Sequence, residues 1–175
     1  MHHTRFTVTK ARQWLDTIRP VALGSPRVQW LPKVIGSFRR QHEFIAEEII
    51  LHCFRDAGWS AEKSGGYTGD GGIDGICAID ELFFLIQVKR YQGNINPADV
   101  EAFAHVIEKY ARKHPRVSHG FFIHSGKTGK LAKETLHHYR DVILISGNDF
   151  VDFILTPGLG LEHVLERKIR RDSAA

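Results

Sequence analysis

The most constraining feature of this sequence is the segment Leu82–Lys89 (LFFLIQVK), which is apolar until it reaches Gln87 and Lys89. A short apolar run between turn residues is typical of a β-strand that is buried on both faces. Because side chains alternate along a strand, Gln87 and Lys89 fall on the same face. A lysine at the end of such a strand is costly to bury unless it meets a partner or a ligand.

The residues before this strand indicate where that partner lies. A glycine-rich turn at residues 68–75 (TGDGGIDG) delivers Asp74, a short strand follows, and the chain reverses at Asp80-Glu81. If the two strands pair as a hairpin, Asp74 lies opposite the end of the second strand. A carboxylate, an amide oxygen and a lysine then converge at one end of a sheet. A half-buried ion pair between Asp74 and Lys89 would explain the same residues without any ligand.

Such a group suits the hydrolysis of a phosphodiester, which requires an activated water and a cation that absorbs charge on the phosphate. Mg²⁺ prefers oxygen ligands, takes only one or two carboxylates and keeps several waters. Asp74 would be the main ligand, whereas Gln87 offers only a neutral carbonyl oxygen. Lys89, being charged, would orient the water or stabilise the charge that develops on the phosphate.

The order of these residues resembles that of a nuclease family. G-x-D-G followed by a strand that ends in Q-x-K is similar to the PD-(D/E)xK superfamily, and GDGGIDG and RY on either side resemble its Mrr branch, the catalytic domain of type IV restriction endonucleases. The resemblance extends from about Glu43 to about Leu155. It implies an α/β, restriction-endonuclease-like fold of three layers, with a central mixed β-sheet flanked by helices. It also implies a Mg²⁺-dependent DNA endonuclease that acts in restriction, phage defence or DNA repair.

The resemblance implies further ligands for the metal, which is expected to be Mg²⁺ with Mn²⁺ able to substitute. The backbone carbonyl of Val88 is the third oxygen. In the Mrr pattern a helix comes before these strands, and an acid lies eleven residues before the glycine that ends this helix. In this chain the glycine is Gly58 and the acid is Glu47. The family places a phenylalanine before that acid, whereas this chain has Ala46. We predict that Glu47 holds a second metal or a water, with Glu43 as its substitute.

Composition restricts the class of protein. The chain has 175 residues, of which 42% are hydrophobic and 25% charged, as in one soluble globular domain. No apolar run approaches the roughly 18 residues of a membrane span, and the N-terminus lacks the apolar core of a secretory signal, so we expect a cytoplasmic protein without a membrane partner. Cys53 and Cys77 lie in apolar patterns, which indicates buried free thiols.

The net charge of +4 is unevenly distributed. Residues 1–40 carry +7, residues 41–80 carry −6, residues 81–140 carry +5 and residues 141–175 carry −2. An acidic patch between two basic stretches suits a metal site within a phosphate-binding surface, so DNA is the expected partner. Cutting both strands needs two sites, which a homodimer would supply, although no residue indicates one.

The chain is predicted to have three parts. Residues 1–40 form a basic N-terminal extension, with a short helix within 1–19 and then a stretch broken by Pro20, Pro26 and Pro32. Residues 41–158 form the nuclease core, and residues 159–175 form a terminal helix whose end, from Asp172, should fray.

Apolar periodicity predicts the elements of the core. They are helices at 41–58, 96–113, 128–139 and 149–155, and strands at 59–63, before and after the reversal at 80–81, at 119–124 and at 141–146. Asn148 or Asp149 is expected to cap the 149–155 helix. In the turn before Asp74, Asp70 could cap the turn or touch a metal-bound water, and Gly69, Gly71, Gly72 and Gly75 allow the backbone close to a phosphate.

After the strand that ends at His124, the residues SGKTGK open a helix. They nearly match the phosphate-binding loop GxxxxGK[ST], but Phe121 occupies the position of its first glycine, which argues against ATP binding. A helix start still favours phosphate contacts, although solvated lysines beside a helix cap would give the same pattern. The residues predicted to contact DNA are Ser125, Lys127, Lys130 and Arg90.

Two other functions fit part of the pattern. A structure-selective nuclease that resembles the archaeal Holliday-junction resolvases shares the fold but normally carries E-x-K, so Gln87 favours the Mrr branch. A catalytically silent DNA-binding module would not need Asp74, Gln87 and Lys89 together, and their retention argues against it.

Overall fold

The computed structural model of the chain describes residues 2–24, 26–64 and 72–173, which form five strands and seven helices. The strands are β1 Ser60–Lys63, β2 Gly75–Ile79, β3 Leu82–Lys89, β4 Val117–His124 and β5 Val142–Ser146. The helices are α1 His2–Leu23, α2 Arg27–Arg39, α3 Glu43–Asp56, α4 Pro97–Lys113, α5 Lys130–His138, α6 Gly147–Leu155 and α7 Pro157–Ser173.

The strands form one mixed sheet in the order β1-β2-β3-β4-β5. β1 pairs with β2, and β2 with β3, in antiparallel orientation, whereas β3, β4 and β5 run parallel to one another. In the β2–β3 hairpin Gly75 lies opposite Ile86 and Ile79 opposite Leu82. The apolar β3 is therefore the central strand, and the predicted α/β fold with a mixed sheet is confirmed.

Helices cover both faces of the sheet, as the two-sided apolar pattern of β3 requires. Phe84 and Ile86 of β3 lie in the core beneath α1, α2, α3, α6 and α7, whereas Leu85 lies in the core beneath α4 and α5. Phe54 of α3 is central to the first core, since its ring centroid lies 5.0 Å from that of Phe121 and 4.9 Å from that of Phe153. The alternation predicted for β3 is therefore correct.

The N-terminal region differs from the prediction. α1 continues through Pro20 to Leu23, and α2 contains Pro32. Of the three prolines that were expected to break this region, Pro26 alone lies between α1 and α2. A proline inside a helix removes one backbone hydrogen bond. Burial of an apolar helix face offsets that loss, and the side chains of Leu15 and Phe38 are fully buried against the first core.

Two details of the C-terminal helices were also predicted wrongly. α6 begins immediately after Ser146, which makes no capping hydrogen bond through its side chain, so the expected cap by Asn148 or Asp149 is not observed. Asp172 lies within α7 and forms an ion pair with the buried Lys168, so it is held in the helix.

Several smaller predictions are confirmed. Gly58 follows α3 with a φ of +87°, and the helix predicted at 96–113 is α4, Pro97–Lys113. Cys53 and Cys77 are buried and free. Within the described ranges, no helix is both long enough and apolar enough to cross a membrane.

Candidate functional site

The candidate site lies at the edge of the sheet where β3 ends and β2 begins. Asp74 directly precedes β2, and its N–H donates to the carbonyl of Ile86 at 2.8 Å. Its carboxylate accepts a hydrogen bond from the N–H of Val88 at 2.6 Å. Because hydrogen bonds of a strand lie near the plane of the sheet, the carboxylate is held in that plane at the end of the hairpin.

Burial raises the pKa of Asp74 to about 7. The hydrogen bond from Val88 lowers this pKa, the charge of Glu47 raises it, and the ammonium groups of Lys89 and Lys63 lower it. The site therefore brings two carboxylates and two lysines within electrostatic range of one another. A cation that binds the carboxylates would favour the ionised form of Asp74.

Glu47 supplies the second carboxylate from α3. Its side chain is only 14% exposed, and its Oε2 lies 2.7 Å from Nζ of Lys63. Glu43 is the first residue of α3 and is exposed, whereas Glu48 is buried and paired with Arg55 at 2.6 Å. Of these three glutamates, Glu47 is the one whose charge raises the pKa of Asp74.

Gln87, two residues before the end of β3, is buried with 5% of its surface exposed. Its amide nitrogen donates to the carbonyl of Gly72 at 2.8 Å, which fixes the amide and turns its oxygen away from that carbonyl. Gly72 has a φ of +81°, and a Cβ there would lie 2.9 Å from the Gln87 amide nitrogen. Position 72 therefore favours glycine both for its backbone conformation and for space.

Lys89 is the last residue of β3 and is partly buried. Alternation along the strand places its side chain on the same face as Gln87. Its carbonyl accepts a hydrogen bond from the N–H of Ser125 at 3.1 Å, and it pairs in register with His124. Burial lowers the pKa of His124 to about 4, so this histidine is neutral beside the site.

Two of the predicted DNA contacts, Ser125 and Arg90, are engaged within the protein. Ser125 is buried, and its hydroxyl donates to the carbonyl of Tyr91 at 3.2 Å and accepts from Arg39 at 3.3 Å. Arg90 donates to the carbonyl of Gln41 at 2.6 Å. These bonds join the loops after β3 and β4 to the end of α2.

The other two predicted contacts, Lys127 and Lys130, are exposed at the same end of the sheet. Lys130 opens α5, and its ammonium lies 3.8 Å from Glu134 in a solvent-exposed pair. The backbone of Lys127 is held by the loop after β3, because its N–H donates to the carbonyl of Gly93 at 3.0 Å and its carbonyl accepts from Ile95 at 2.9 Å.

The sequence pattern did not predict that Lys63 lies beside the site. It ends β1 opposite Gly75, the neighbour of Asp74, and its ammonium lies 2.7 Å from Glu47 and 4.3 Å from the ring centroid of Phe44. Only the register of β1 against β2 reveals this position. A strand of four residues at the sheet edge carries too little periodicity to predict that register.

The carboxylate oxygens of Asp74 and Glu47 are ligands of the kind that divalent cations such as Mg²⁺ accept. Among the described residues, no three His, Cys, Asp or Glu side chains gather into a group that could hold a metal. Mg²⁺ is commonly bound through one or two carboxylates while it keeps several waters, whereas structural zinc sites need four protein ligands of mostly sulfur or nitrogen. Asp70, Gly69 and Gly71, for which roles in the turn were predicted, lie outside the described residues.

Comparison with known proteins identifies the family. The family model described as restriction endonuclease, that of the Mrr catalytic domain, matches residues 39–154. The chain belongs to the Mrr-type restriction endonuclease family. The match begins at the end of α2 and runs into α6, so it includes Glu47, Asp74, Gln87 and Lys89.

One Mrr-type relative is the type IV methyl-directed restriction enzyme EcoKMrr of Escherichia coli (strain K12), which is 25% identical over 122 residues. The match covers 66% of this chain and 38% of the relative, so the chain spans well under half of the relative's length. No solved structure matches the chain. The resemblance found in the sequence is confirmed.

Proposed function

We propose that this chain is a Mg²⁺-dependent DNA endonuclease whose active site is centred on Asp74. The observation that carries the proposal is the Asp74 carboxylate, held at 2.6 Å against the main chain of Val88 at the end of β3, with Glu47 close enough to raise its pKa. In a chain of the Mrr-type family, this arrangement supports phosphodiester hydrolysis better than a structural ion pair.

Asp74 and Glu47 would hold the metal through their carboxylates, and the Val88 carbonyl and the Gln87 amide oxygen would add neutral ligands. Mg²⁺, when bound, supplies positive charge for the phosphate and lowers the pKa of a bound water. The bond from Gln87 to Gly72 keeps the amide in one orientation, which favours a ligand role for its oxygen. Mn²⁺ should substitute, because it accepts the same oxygen ligands.

Lys89 would act on the reacting groups directly. Its ammonium is close enough to lower the pKa of Asp74, and its position at the end of β3 suits contact with a phosphate bound there. A positive charge fixed at that point would orient the attacking water or stabilise the charge that develops on the phosphate.

DNA would approach the edge of the sheet formed by the loops after β3 and β4. Lys127 and Lys130 are exposed there and would contact phosphates. Ser125 and Arg90 would have to exchange their present hydrogen bonds to touch DNA, so we propose that they hold these loops in position.

Support for a substrate class comes from the relative, whose name describes a methyl-directed enzyme. We propose that this chain cleaves methylated DNA in the cytoplasm as part of restriction and phage defence. The family match alone also accommodates DNA repair, and the substrate decides between the two.

The test is incubation of the protein with methylated, unmethylated and branched DNA in Mg²⁺, in Mn²⁺ and in excess chelator. We expect cleavage of the methylated duplex with either metal and none with chelator. Cleavage confined to branched DNA would assign a junction-resolving role instead. Binding without cleavage of any DNA would identify a catalytically silent DNA-binding module.

A further inference from the structure

The two acids of the proposed site, Asp74 and Glu47, lie close to a lysine of the protein itself, Lys63. The ammonium of Lys63 lies 2.7 Å from Oε2 of Glu47, and its charge also lowers the pKa of Asp74. The side chain of Lys63 is 38% exposed, whereas that of Glu47 is 14% exposed, so the lysine can move into solvent more easily than the glutamate can.

A divalent cation bound by Glu47 and Asp74 would meet Lys63 at close range. The ammonium and the metal would need the same carboxylate, and two positive charges a few ångströms apart repel each other strongly in a partly buried site. A metal that binds Glu47 must therefore displace the ammonium or bind against its repulsion. The ring of Phe44, whose centroid lies 4.3 Å from the ammonium, stabilises Lys63 in its present position.

We infer that Lys63 is a positioning residue that neutralises Glu47 in the metal-free protein and competes with the metal for that carboxylate. The inference rests on the proposed function, because it assumes that Asp74 and Glu47 bind Mg²⁺. It assigns Lys63 a role that differs from that of Lys89: Lys63 sets how tightly the metal binds, whereas Lys89 acts on the phosphate.

The test is a calorimetric titration of Mg²⁺ into the protein without DNA, so that no cleavage contributes to the signal. In Lys63→Met the side chain keeps a similar length and loses its charge, and Mg²⁺ should bind about tenfold more tightly than in the parent. In Lys63→Arg the charge remains, and the affinity should stay within about threefold of the parent value. Glu47→Gln should weaken binding.

Lys10→Met is a matched control. Lys10 also lies over a phenylalanine ring, at 5.7 Å from the centroid of Phe6, but it is on the exposed surface of α1. Removal of its charge should leave the Mg²⁺ affinity unchanged. If Lys63→Met does not fold, Lys63→Gln decides, because it can still donate a hydrogen bond to Glu47 without carrying a charge.

The melting temperature separates competition from simple structural support. Without metal, Lys63→Met should melt below the parent, since Glu47 loses its partner, and saturating Mg²⁺ should remove most of that difference. Equal Mg²⁺ affinity in Lys63→Met and the parent would overturn the role of Lys63 and leave the proposed nuclease site standing. A parent protein that binds no Mg²⁺ would overturn both.

Discussion

The carboxylate of Asp74 connects folding stability to pH. Its pKa in the folded protein is about 7, above that of an exposed aspartate, because the group is buried. Between about pH 4 and pH 7 the folded state therefore binds more protons than the unfolded chain, so stability falls as the pH rises through this window. The stabilisation that Asp74 contributes is fully present below the pKa of the unfolded chain, about 4, and is lost as the pH rises through the folded pKa of about 7.

We predict that, in chelator, the free energy of unfolding contributed by Asp74 decreases by up to about 4 kcal/mol across this window. Asp74→Asn cannot ionise and should show a flatter dependence than the parent. Urea denaturation at several pH values measures both. Equal slopes for the two proteins would show that Asp74 ionises as an exposed carboxylate does.

At Lys89 the prediction separates chemistry from stability. Lys89→Ala should reduce single-turnover cleavage by about 10²-fold or more with little change in melting temperature, because the ammonium matters most when charge develops on the phosphate. Lys89→Arg should not restore activity, since a planar guanidinium cannot place a point charge at the same spot. A mutant that unfolds, or one that cuts at the parental rate, would refute the catalytic role.

For Gln87 the structure predicts two opposite effects of one change. In Gln87→Glu the hydrogen bond to the Gly72 carbonyl is lost and a charge is buried beside it, which should destabilise the metal-free protein by about 1–3 kcal/mol. The same charge adds a stronger metal ligand, so the Mg²⁺ affinity should rise. Denaturation in chelator and calorimetry with Mg²⁺ measure the two effects. An unchanged affinity would place Gln87 away from the metal.

How far the sequence predicts the site differs from residue to residue. Asp74, Gln87 and Lys89 belong to one hairpin, so local spacing was enough to bring them together. Lys63 reaches the site only through the pairing of an edge strand, which no local pattern reveals. Ser125 was predicted to contact phosphate, but it is buried and accepts a hydrogen bond from Arg39 of the distant helix α2.

At the scale of elements, the contact between β2 and α3 fixes Asp74 relative to Glu47. A Cβ at Gly75 would lie 2.7 Å from Cδ2 of Leu51 in α3 and 2.8 Å from the carbonyl of Glu62 in β1. Gly75→Ala should therefore push these elements apart, lower stability by about 1–3 kcal/mol and reduce cleavage.

Gly158→Ala is the matched control for this change, because a Cβ at Gly158, in the first turn of α7, would meet no atom within 4 Å apart from its chain neighbours and the nearby backbone of its own helix. Its melting temperature should equal or exceed that of the parent. The same chemical change then has opposite effects at two positions. A Gly75→Ala protein as stable and active as the parent would contradict the close packing of β2 on α3.

Local periodicity predicted most elements, and it failed where distant packing decides the outcome. The hairpin β2–β3 and helices α3 and α4 have clear apolar patterns and lie close to their predicted ranges. The prolines of the N-terminal region suggested broken chain, yet α1 and α2 keep Pro20 and Pro32 because their apolar faces are buried on the core. That burial involves contacts with residues far along the chain.

At the scale of the whole molecule, the structure reduces the number of basic side chains that are free to contact DNA. Arg12 and Arg19 pair with Asp56, at 3.0 Å and 2.6 Å, and Arg27 pairs with Asp152 at 2.8 Å. Part of the positive charge of residues 1–40 is thus used to attach α1 and α2 to the rest of the protein. The exposed lysines beside the site become the better candidates for DNA contacts.

We predict that DNA affinity falls steeply with salt and that Lys127→Ala/Lys130→Ala reduces the log–log slope by about 2, one phosphate contact for each lysine. Arg12→Ala/Arg27→Ala removes the same number of charges and should leave the slope unchanged. Binding isotherms over a range of salt concentrations give both values. An equal loss of slope in the two double mutants would show that DNA binding depends on overall charge.

The most direct test of the account compares two partly buried acids in single-turnover cleavage of the substrate DNA with saturating Mg²⁺. Burial raises the pKa of both Asp74 and Asp141, but Asp141 lies next to β5, at the other end of the parallel strands. We predict that Asp74→Asn lowers the cleavage rate by about 10²-fold or more while DNA binding persists, and that Asp141→Asn cuts at the parental rate. Cleavage by Asp74→Asn at the parental rate would contradict a metal-dependent nuclease site centred on Asp74.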